Sequence, residues 1–441
     1  MSAARRGPGE PGSASLAPLV EPRAEDLSVD EVARYARHLS LPGIGPQGQR
    51  RLAGARVLVV GAGGLGSPAL LYLAAAGVGT IGIVDDDVVD TSNLQRQVIH
   101  GGSDVGRPKV TSATETIAEV NPHVRVVEHA VRLDASNALD VLAGYDVVLD
   151  GADNFATRYL VSDAAEISGI PVVWGSIYRF GGQVSVFWGR PRPAPGAVDG
   201  PAGVTYRDVF PEPPPPGAAP DCATGGVLGA MCGTIGSVMA TEAVKLVTGA
   251  GTTLLGRLAV YGALDLTWRQ LTVRPDPTRP PVTALLTGDD AYAAFCGVAA
   301  PATAAPGEAD AAGEGPSSGP GAGPAEVARL LAGGSVLLDV REEWEAKLAP
   351  LAGAHVVPSG RFVGGEDDAR AALAELGDVA DLTADGPLLV VCAAGIRSAR
   401  VVEVLRAAGV DARDVLGGAP ALRAALTPRR ERTPVAEVEL Q

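Results

Sequence analysis

RVLVVGAGGLGSPALLYLAAAGVGTIGIVD, residues 56–85, decides how the chain folds. Its apolar run 57–60 reads as a buried strand, residues 65–77 as a packed helix and residues 80–84 as the next strand. Between strand and helix lies Gly61-Ala62-Gly63-Gly64-Leu65-Gly66. Glycines at such a junction let the backbone approach a phosphate, which the helix N-terminus also attracts. Asp85 closes the second strand, where a carboxylate can accept a hydrogen bond from a ribose hydroxyl. By itself this pattern fits a nicotinamide dehydrogenase just as well, and a glycine turn without a ligand stays open too.

Outward from this unit the alternation continues. Residues 124–129 and 146–150 supply further strands, with helical patterns between and after them, one running from Pro108 toward Val120. Strands alternating with helices predict an α/β fold built on a Rossmann-like, doubly wound, mostly parallel sheet. QVSVFW at 183–188 and the long alternating run 257–273 predict antiparallel additions at one end. Upstream, the pattern from Asp30 reads as one helix. Residues 1–27, rich in Pro, Gly, Ala and Ser, read as a disordered extension ahead of a first domain at 28–296. Residues 297–323 cannot bury enough apolar surface to order themselves and read as a flexible linker. A smaller α/β domain at 324–427 and a tail at 428–441 complete the chain.

Composition narrows the function classes. The 441 residues are 46% hydrophobic and 20% charged, with a formal net charge of -15. A surface that acidic repels phosphate backbones, so nucleic acid is not expected as a general partner. Four cysteines in a chain this long do not make a secreted disulfide framework. No apolar signal segment follows Arg5 and Arg6. The most membrane-like stretch, 225–247, carries Glu242 and Lys245 and reads as a buried helix. No membrane contact and a cytoplasmic location are the expectation.

The segments after Asp85 shift the balance. SNLQRQ at 92–97 and Lys109, behind Gly106 and Pro108, bring two permanent cations, Arg96 and Lys109, beside the glycine loop. A triphosphate needs that neutralisation in its transition state, whereas a dinucleotide pyrophosphate usually needs less. Asp150-Gly151-Ala152-Asp153-Asn154 ends a later strand, where a carboxylate facing the nucleotide crevice can hold Mg²⁺. Singly, each feature could be a surface charge or a cap. In this order they favour magnesium-ATP chemistry.

GAGGLGS, DDDVVDTSNLQRQ, the Lys109 helix and DGADN resemble the adenylating domain of the ubiquitin-activating superfamily, over roughly residues 28–290. Its molybdopterin-synthase adenylyltransferase and thiamin-pathway branch is the nearest in pattern. The resemblance implies that Gly61, Gly63, Gly64 and Gly66 cradle ATP, that Asp85 binds the ribose, and that Asn93, Arg96 and Lys109 contact phosphates. Asp153, with Asn154 beside it, would serve Mg²⁺ and the reacting phosphate. Residues 34–37 resemble the segment that supplies Arg37 across a homodimer interface into the neighbour's ATP site. Enzymes of this kind act on the C-terminal Gly-Gly carboxylate of a small ubiquitin-like sulfur carrier protein. Family members commonly hold a structural zinc with two Cys-x-x-Cys pairs. At those places this chain reads Thr205-Tyr206-Arg207-Asp208 and Arg274-Pro275-Asp276-Pro277-Thr278-Arg279, so no zinc is expected.

In the second domain Cys392 ends an apolar strand and opens Cys392-Ala393-Ala394-Gly395-Ile396-Arg397-Ser398. A short strand-to-helix loop can turn its N–H groups inward as an anion cradle, and Arg397 adds a cation. A buried strand-end cysteine beside an ordinary helix cap is the plainer alternative. This loop, with LLDVREEWE and GAHVVP, resembles the active loop of rhodanese domains. It implies that Cys392 takes sulfane sulfur, from thiosulfate or a persulfide-forming desulfurase, and delivers it to the acyl-adenylate to give a thiocarboxylate. Gly395, Arg397 and Ser398 would complete the persulfide loop, and Asp339 with Arg341 would brace the fold. Many relatives carry a basic residue where Ala393 stands. Cys222, in PDCATGG, resembles the cysteine that in some members joins the carrier covalently, though simple packing against the next helix stays equally open. Cys232 and Cys296 read as structural. Two other classes remain at this stage: a nicotinamide-dependent oxidoreductase with a rhodanese appendage, and a non-catalytic carrier-binding scaffold.

Overall fold

Buried strands and helices alternate into two sheets of different size in the computed structural model of the protein. Residues 16–193, 201–214, 226–288, 290–297, 321–362, 365–393 and 395–426 are described. The chain divides into two units, Met1–Ala305 and Pro306–Gln441. In the first, β1 (Arg56–Val60), β2 (Thr80–Val84), β3 (Arg125–His129), β4 (Val147–Asp150) and β5 (Val172–Tyr178) run parallel. Next come β6 (Gly181–Phe187), β7 (Arg257–Gly262) and β8 (Thr267–Thr272), each antiparallel to its neighbour. The order β3-β2-β1-β4-β5-β6-β7-β8 puts a topological switch point between β1 and β4. Ligands of open α/β sheets bind in the crevice beyond the carboxyl ends of such strands.

The apolar run of β1 is continuous because both its faces are covered. Val57 and Val59 enter one core cluster with Ile81, Ile83 and Leu149, while Leu58 and Val60 enter the other with Val148 and Tyr159. The helix Gly229–Thr248 fills the first cluster with Met231, Cys232, Ile235 and Met239. It is long and apolar enough to cross a bilayer. Its buried Glu242 nevertheless pairs with Lys245 and accepts the Leu254 N–H at 2.7 Å, so a polar tie is spent inside the fold.

Two expectations for the N-terminal region need correction. Residues 16–27, read as part of a disordered extension, are packed in place. Leu16, Leu19 and Val20 lie against the first core cluster, and the Leu19 N–H donates to the Leu246 carbonyl at 3.0 Å. Three apolar side chains find a groove that composition alone does not reveal. The single helix expected from Asp30 is two short ones, Val29–Arg34 and Ala36–Leu39, broken at Tyr35. The Tyr35 ring is drawn inward, against Gly77 and onto Asn121, whose Nδ2 donates to its hydroxyl at 2.8 Å.

The second unit holds β9 (Gly321–Ala322), β10 (Leu337–Asp339), β11 (Ala354–Val356), β12 (Leu388–Val391) and β13 (Ala412–Val415), all parallel, ordered β11-β10-β12-β13-β9. Central β12 sends Leu388 and Val390 to one cluster and Leu389 and Val391 to the other. Gly321 and Ala322, read as linker, instead pair with Asp414 and Val415. The open edge of β13 supplies the backbone partners that their composition does not advertise. Asp339 and Arg341 form a buried pair at 2.6 Å, and Arg341 also donates to the Ala349 carbonyl at 2.9 Å.

Candidate functional site

The glycine loop leaves β1 at the switch point and enters the helix Gly66–Ala76. Gly61 has φ +88°, and a Cβ at Gly66 would stand 1.8 Å from the Gly61 carbonyl oxygen, so neither position accepts a side chain. In the first turn of that helix the Ser67 N–H donates back to the Gly63 carbonyl at 2.9 Å and Pro68 has no N–H, so an anion here would be met by loop amides and the positive end of the helix dipole. Asp85 ties the loop down from the end of β2: its Oδ2 accepts the Ala62 N–H at 2.8 Å and its Oδ1 the Asp87 N–H at 2.9 Å. Burial pushes the Asp85 carboxyl above its ordinary range, opposed chiefly by the charge of Lys109. Below the loop, buried His100 bridges the Ala62 carbonyl at 3.0 Å and the Ser112 hydroxyl at 2.8 Å. Burial lowers its pKa, which favours a neutral ring.

The expected cations lie alongside. The Arg96 Cδ lies 3.7 Å from where a Gly64 Cβ would be, and its Nη1 donates to the Ser92 carbonyl at 3.0 Å. Lys109, only 7% exposed, holds Asp87 at 2.7 Å. The Asn93 oxygen accepts the Asp90 N–H at 3.1 Å, which leaves its amide nitrogen as the group for a ligand. Gln97 places its Nε2 3.7 Å from a Gly63 Cβ, while its Oε1 is buried with no hydrogen-bond partner among the described residues. A buried acceptor left unpaired is costly, so this one suits a donor on a bound nucleotide.

Gly151 joins the Asp153 loop to the glycine loop: its N–H donates to the Val60 carbonyl at 3.0 Å, and its own carbonyl lies 3.4 Å from a Gly61 Cβ. Asp153 is exposed and has no partner among the described residues, while Asn154 caps the helix Phe155–Ser168 through the Thr157 N–H at 2.9 Å. Oxygen donors of this kind suit Mg²⁺. A second carboxylate group, Asp85 with Asp86 and Asp87, has oxygens within 4.8 Å of one another. Arg37 does not join this cluster. Its neighbour Tyr35 is anchored at Gly77, the far end of an 11-residue helix about 16 Å from the loop.

Two residues that the motif reading did not single out complete the arrangement. Asp150, at the end of β4, is 2% exposed, and its Oδ1 accepts the Ala152 N–H at 3.0 Å. Burial pushes its carboxyl up to about 6 against the pull of Arg158. Arg158 Nε donates to the Ala152 carbonyl at 3.1 Å. The signal was available: Arg158 follows the cap Asn154 by one helical turn, on the face that packs toward the sheet.

In the two segments where the family resemblance raised the question of zinc cysteines, the side chains and backbone bond one another. Asp208 accepts the Thr205 N–H at 2.6 Å, the Thr205 hydroxyl at 2.9 Å, the Asp276 N–H at 3.1 Å and Arg279 Nε at 3.0 Å. No thiolate is present and the one buried carboxylate is fully engaged, so this donor set does not fit tetrahedral zinc.

In the second unit, Cys392 Sγ accepts the Gly395 N–H at 3.0 Å and the Ser398 hydroxyl at 3.2 Å. Gly395 begins the helix Ile396–Ala407 as its N-cap with φ 93°, a conformation that turns its amide back on the sulfur. Arg397, expected beside the sulfur, grips Glu345 with two bonds of 2.7 and 2.8 Å. Its charge is thus largely balanced, and the direct donors are the amide and the hydroxyl. Cys222 lies outside the described residues; Cys232 and Cys296 are buried in core clusters.

Residues 35–282 match the ThiF family and residues 323–425 the rhodanese-like domain. The chain is 51% identical over 409 residues to the probable adenylyltransferase/sulfurtransferase MoeZ of Mycobacterium tuberculosis, covering 92% of this chain and 96% of that protein. It is 49% identical over 276 residues to the sulfur carrier protein adenylyltransferase of Thermus thermophilus, covering 61% of this chain and 98% of that one. A solved structure of Escherichia coli MccB aligns with a TM-score of 0.49 at 18% identity, over 58% of this chain and 75% of that one.

Proposed function

Because the chain belongs to the ThiF family and carries a rhodanese-like domain, we propose that it adenylates the C-terminal carboxylate of a small ubiquitin-like sulfur carrier and then exchanges AMP for sulfur. It is an enzyme with adenylyltransferase and sulfurtransferase activities, the first named for both relatives above and the second for the mycobacterial one. The carrying observation is the gathering of Asp85, Arg96, Gln97 and Lys109 around a glycine loop whose geometry forbids side chains. In the first step a carrier carboxylate oxygen bonds the α-phosphorus of ATP as pyrophosphate leaves. Arg96 and Lys109 balance the charge that gathers on the phosphates, and the helix N-terminus orients them. Asp153 would hold the Mg²⁺ that accompanies the triphosphate and shields its charge. The anchoring of Tyr35 away from its own loop supports a homodimer in which Arg37 serves the neighbour's site.

In the second step the terminal sulfur of a Cys392 persulfide bonds the acyl carbon and AMP leaves, giving an acyl disulfide. A thiol then attacks the Cys392 sulfur, freeing the thiocarboxylate and leaving a disulfide that an external thiol reductant restores. Cys222 is the resident candidate for that thiol. The Gly395 amide and Ser398 hydroxyl, which bond Sγ, stabilise the Cys392 thiolate that takes up the sulfane sulfur. The test supplies a Gly-Gly carrier, ATP and thiosulfate. Arg96→Ala and Lys109→Ala should lose ATP–pyrophosphate exchange by about a hundredfold while remaining folded. Cys392→Ser should keep exchange and form no thiocarboxylate by mass spectrometry. Normal exchange in both cation variants would sink the adenylation assignment.

A further inference from the structure

We infer that a metal-free knot of arginines and carboxylates, centred on Asp208 and Arg279, cross-links two loops of the first unit and holds the Asp153 loop in position for adenylation. The functional half of this statement rests on the ATP site proposed above. Arg279 and Asp208 are 71 residues apart in sequence, and the one-turn helix Tyr206–Val209 is all the regular structure around either. Something other than a sheet or a long helix must hold such segments together.

The contacts are complete in a way isolated surface pairs are not. Arg279 spends Nε on Asp208 and both terminal nitrogens on Glu166, at 3.1 and 3.2 Å. Glu166 also accepts the Val282 N–H at 3.2 Å, which fastens the chain beyond Arg279. Arg207 forks onto Asp163 at 2.6 and 2.8 Å, and the Tyr292 hydroxyl takes the same carboxylate at 2.8 Å. The Asp163 and Asp208 side chains are each 3% exposed. Buried ion pairs repay their desolvation when forked geometry and extra donors satisfy the remaining lone pairs, and here they do. Residues 205–208 and 274–279 are the two segments in which the family resemblance led to the expectation of cysteine pairs. The knot joins the same two segments by a different chemistry.

Its reach extends to the crevice through packed rings. Tyr206, between Thr205 and Arg207, lies 5.1 Å from the Tyr159 ring and 5.6 Å from the Trp174 ring. The Arg158 guanidinium lies 5.9 Å from the Trp174 centroid, and its Nε holds the Ala152 carbonyl. Asp150 holds the N–H of the same residue. Ala152, immediately before Asp153, is thereby gripped on both sides, with the knot as the outer wall of the grip. Close-packed interiors transmit such constraint, and positioned phosphate chemistry is sensitive to displacement. Arg158 and Arg279 are positioning residues in this scheme.

Arg279→Gln, with Arg279→Lys as the milder variant should the first not fold, tests the inference in the full chain. Hydrogen–deuterium exchange should speed by about tenfold or more in peptides covering residues 151–158, as well as in residues 205–214 and 274–286. In ATP–pyrophosphate exchange, kcat should fall by about tenfold with KM for ATP little changed. The wild type should keep its melting temperature in a zinc-selective chelator. Unchanged protection at 151–158, with the loops alone loosened, would reduce the knot to a local brace and overturn the coupling. One tightly bound zinc per wild-type chain would overturn the metal-free claim. A wild type inactive in exchange would count against the proposed function, while protection at 151–158 would still judge the knot.

Discussion

Asp150 shows how one carboxylate ties stability to pH. Its carboxyl, ordinarily at 3.8, is pushed up to about 6 by complete burial, with Arg158 pulling the other way. The folded chain therefore binds this proton more tightly than the unfolded chain does. Its stabilising contribution is full below about pH 4 and is lost as pH rises through about 6. Asp150→Asn keeps an acceptor for the Ala152 N–H and has nothing to titrate. Between about pH 4 and pH 7 the variant should lose about 2–3 kcal/mol less stability than the wild type. Urea unfolding at stepped pH measures this, and parallel losses would mean that Asp150 ionises at its ordinary value. The residue was not visible as special in DGADN, because burial is a property of the neighbours and not of the motif. Arg96, Lys109 and Cys392 stand out in the sequence for the opposite reason: charge or nucleophilicity beside a recognisable loop marks them without any knowledge of their neighbours.

The strand–loop–helix element from β1 to Ala76 is the part of the fold most fully written in the sequence. Its apolar runs and glycines answer to local rules, and the crevice forms where those rules place it. Gly66 is the strictest position, since any Cβ there collides with the Gly61 carbonyl. Gly66→Ala should cost about 3 kcal/mol or more and lower the melting temperature even without nucleotide. A variant with wild-type melting and ATP binding would show that the loop can open to admit a methyl group. Elements that depend on distant partners were not legible. The break at Tyr35 needs Gly77 and Asn121, β9 needs the edge of β13, and residues 16–27 need the groove beside Leu246. In each case a short segment with weak preferences takes its shape from a surface made elsewhere in the chain.

On the scale of the whole molecule, the core clusters fall into two sets. Residues 52–296 build one pair and residues 322–422 the other. Each sheet has its own reason to fold. Produced as two separate chains divided between residues 297 and 321, the two fragments should keep separate activities. The first should retain ATP–pyrophosphate exchange and the second thiosulfate–cyanide sulfurtransfer. Thiocarboxylate yield at micromolar enzyme should fall by at least about tenfold, because joining two activities in one chain supplies an effective concentration of about a millimolar. An unchanged yield would show that covalent linkage contributes nothing to sulfur delivery.

The joined loops at Asp208 and Arg279 also bear on where such a protein can be made. A clasp of thiolates and zinc draws on the cell's trace-element supply each time a chain folds, and it fails when scavenging hosts or rivals strip that supply. A clasp of guanidinium and carboxylate is encoded entirely in the polypeptide. Under zinc starvation the chain should therefore reach the same folded yield as under plenty, and a yield that falls with zinc supply would show that the clasp needs the metal after all.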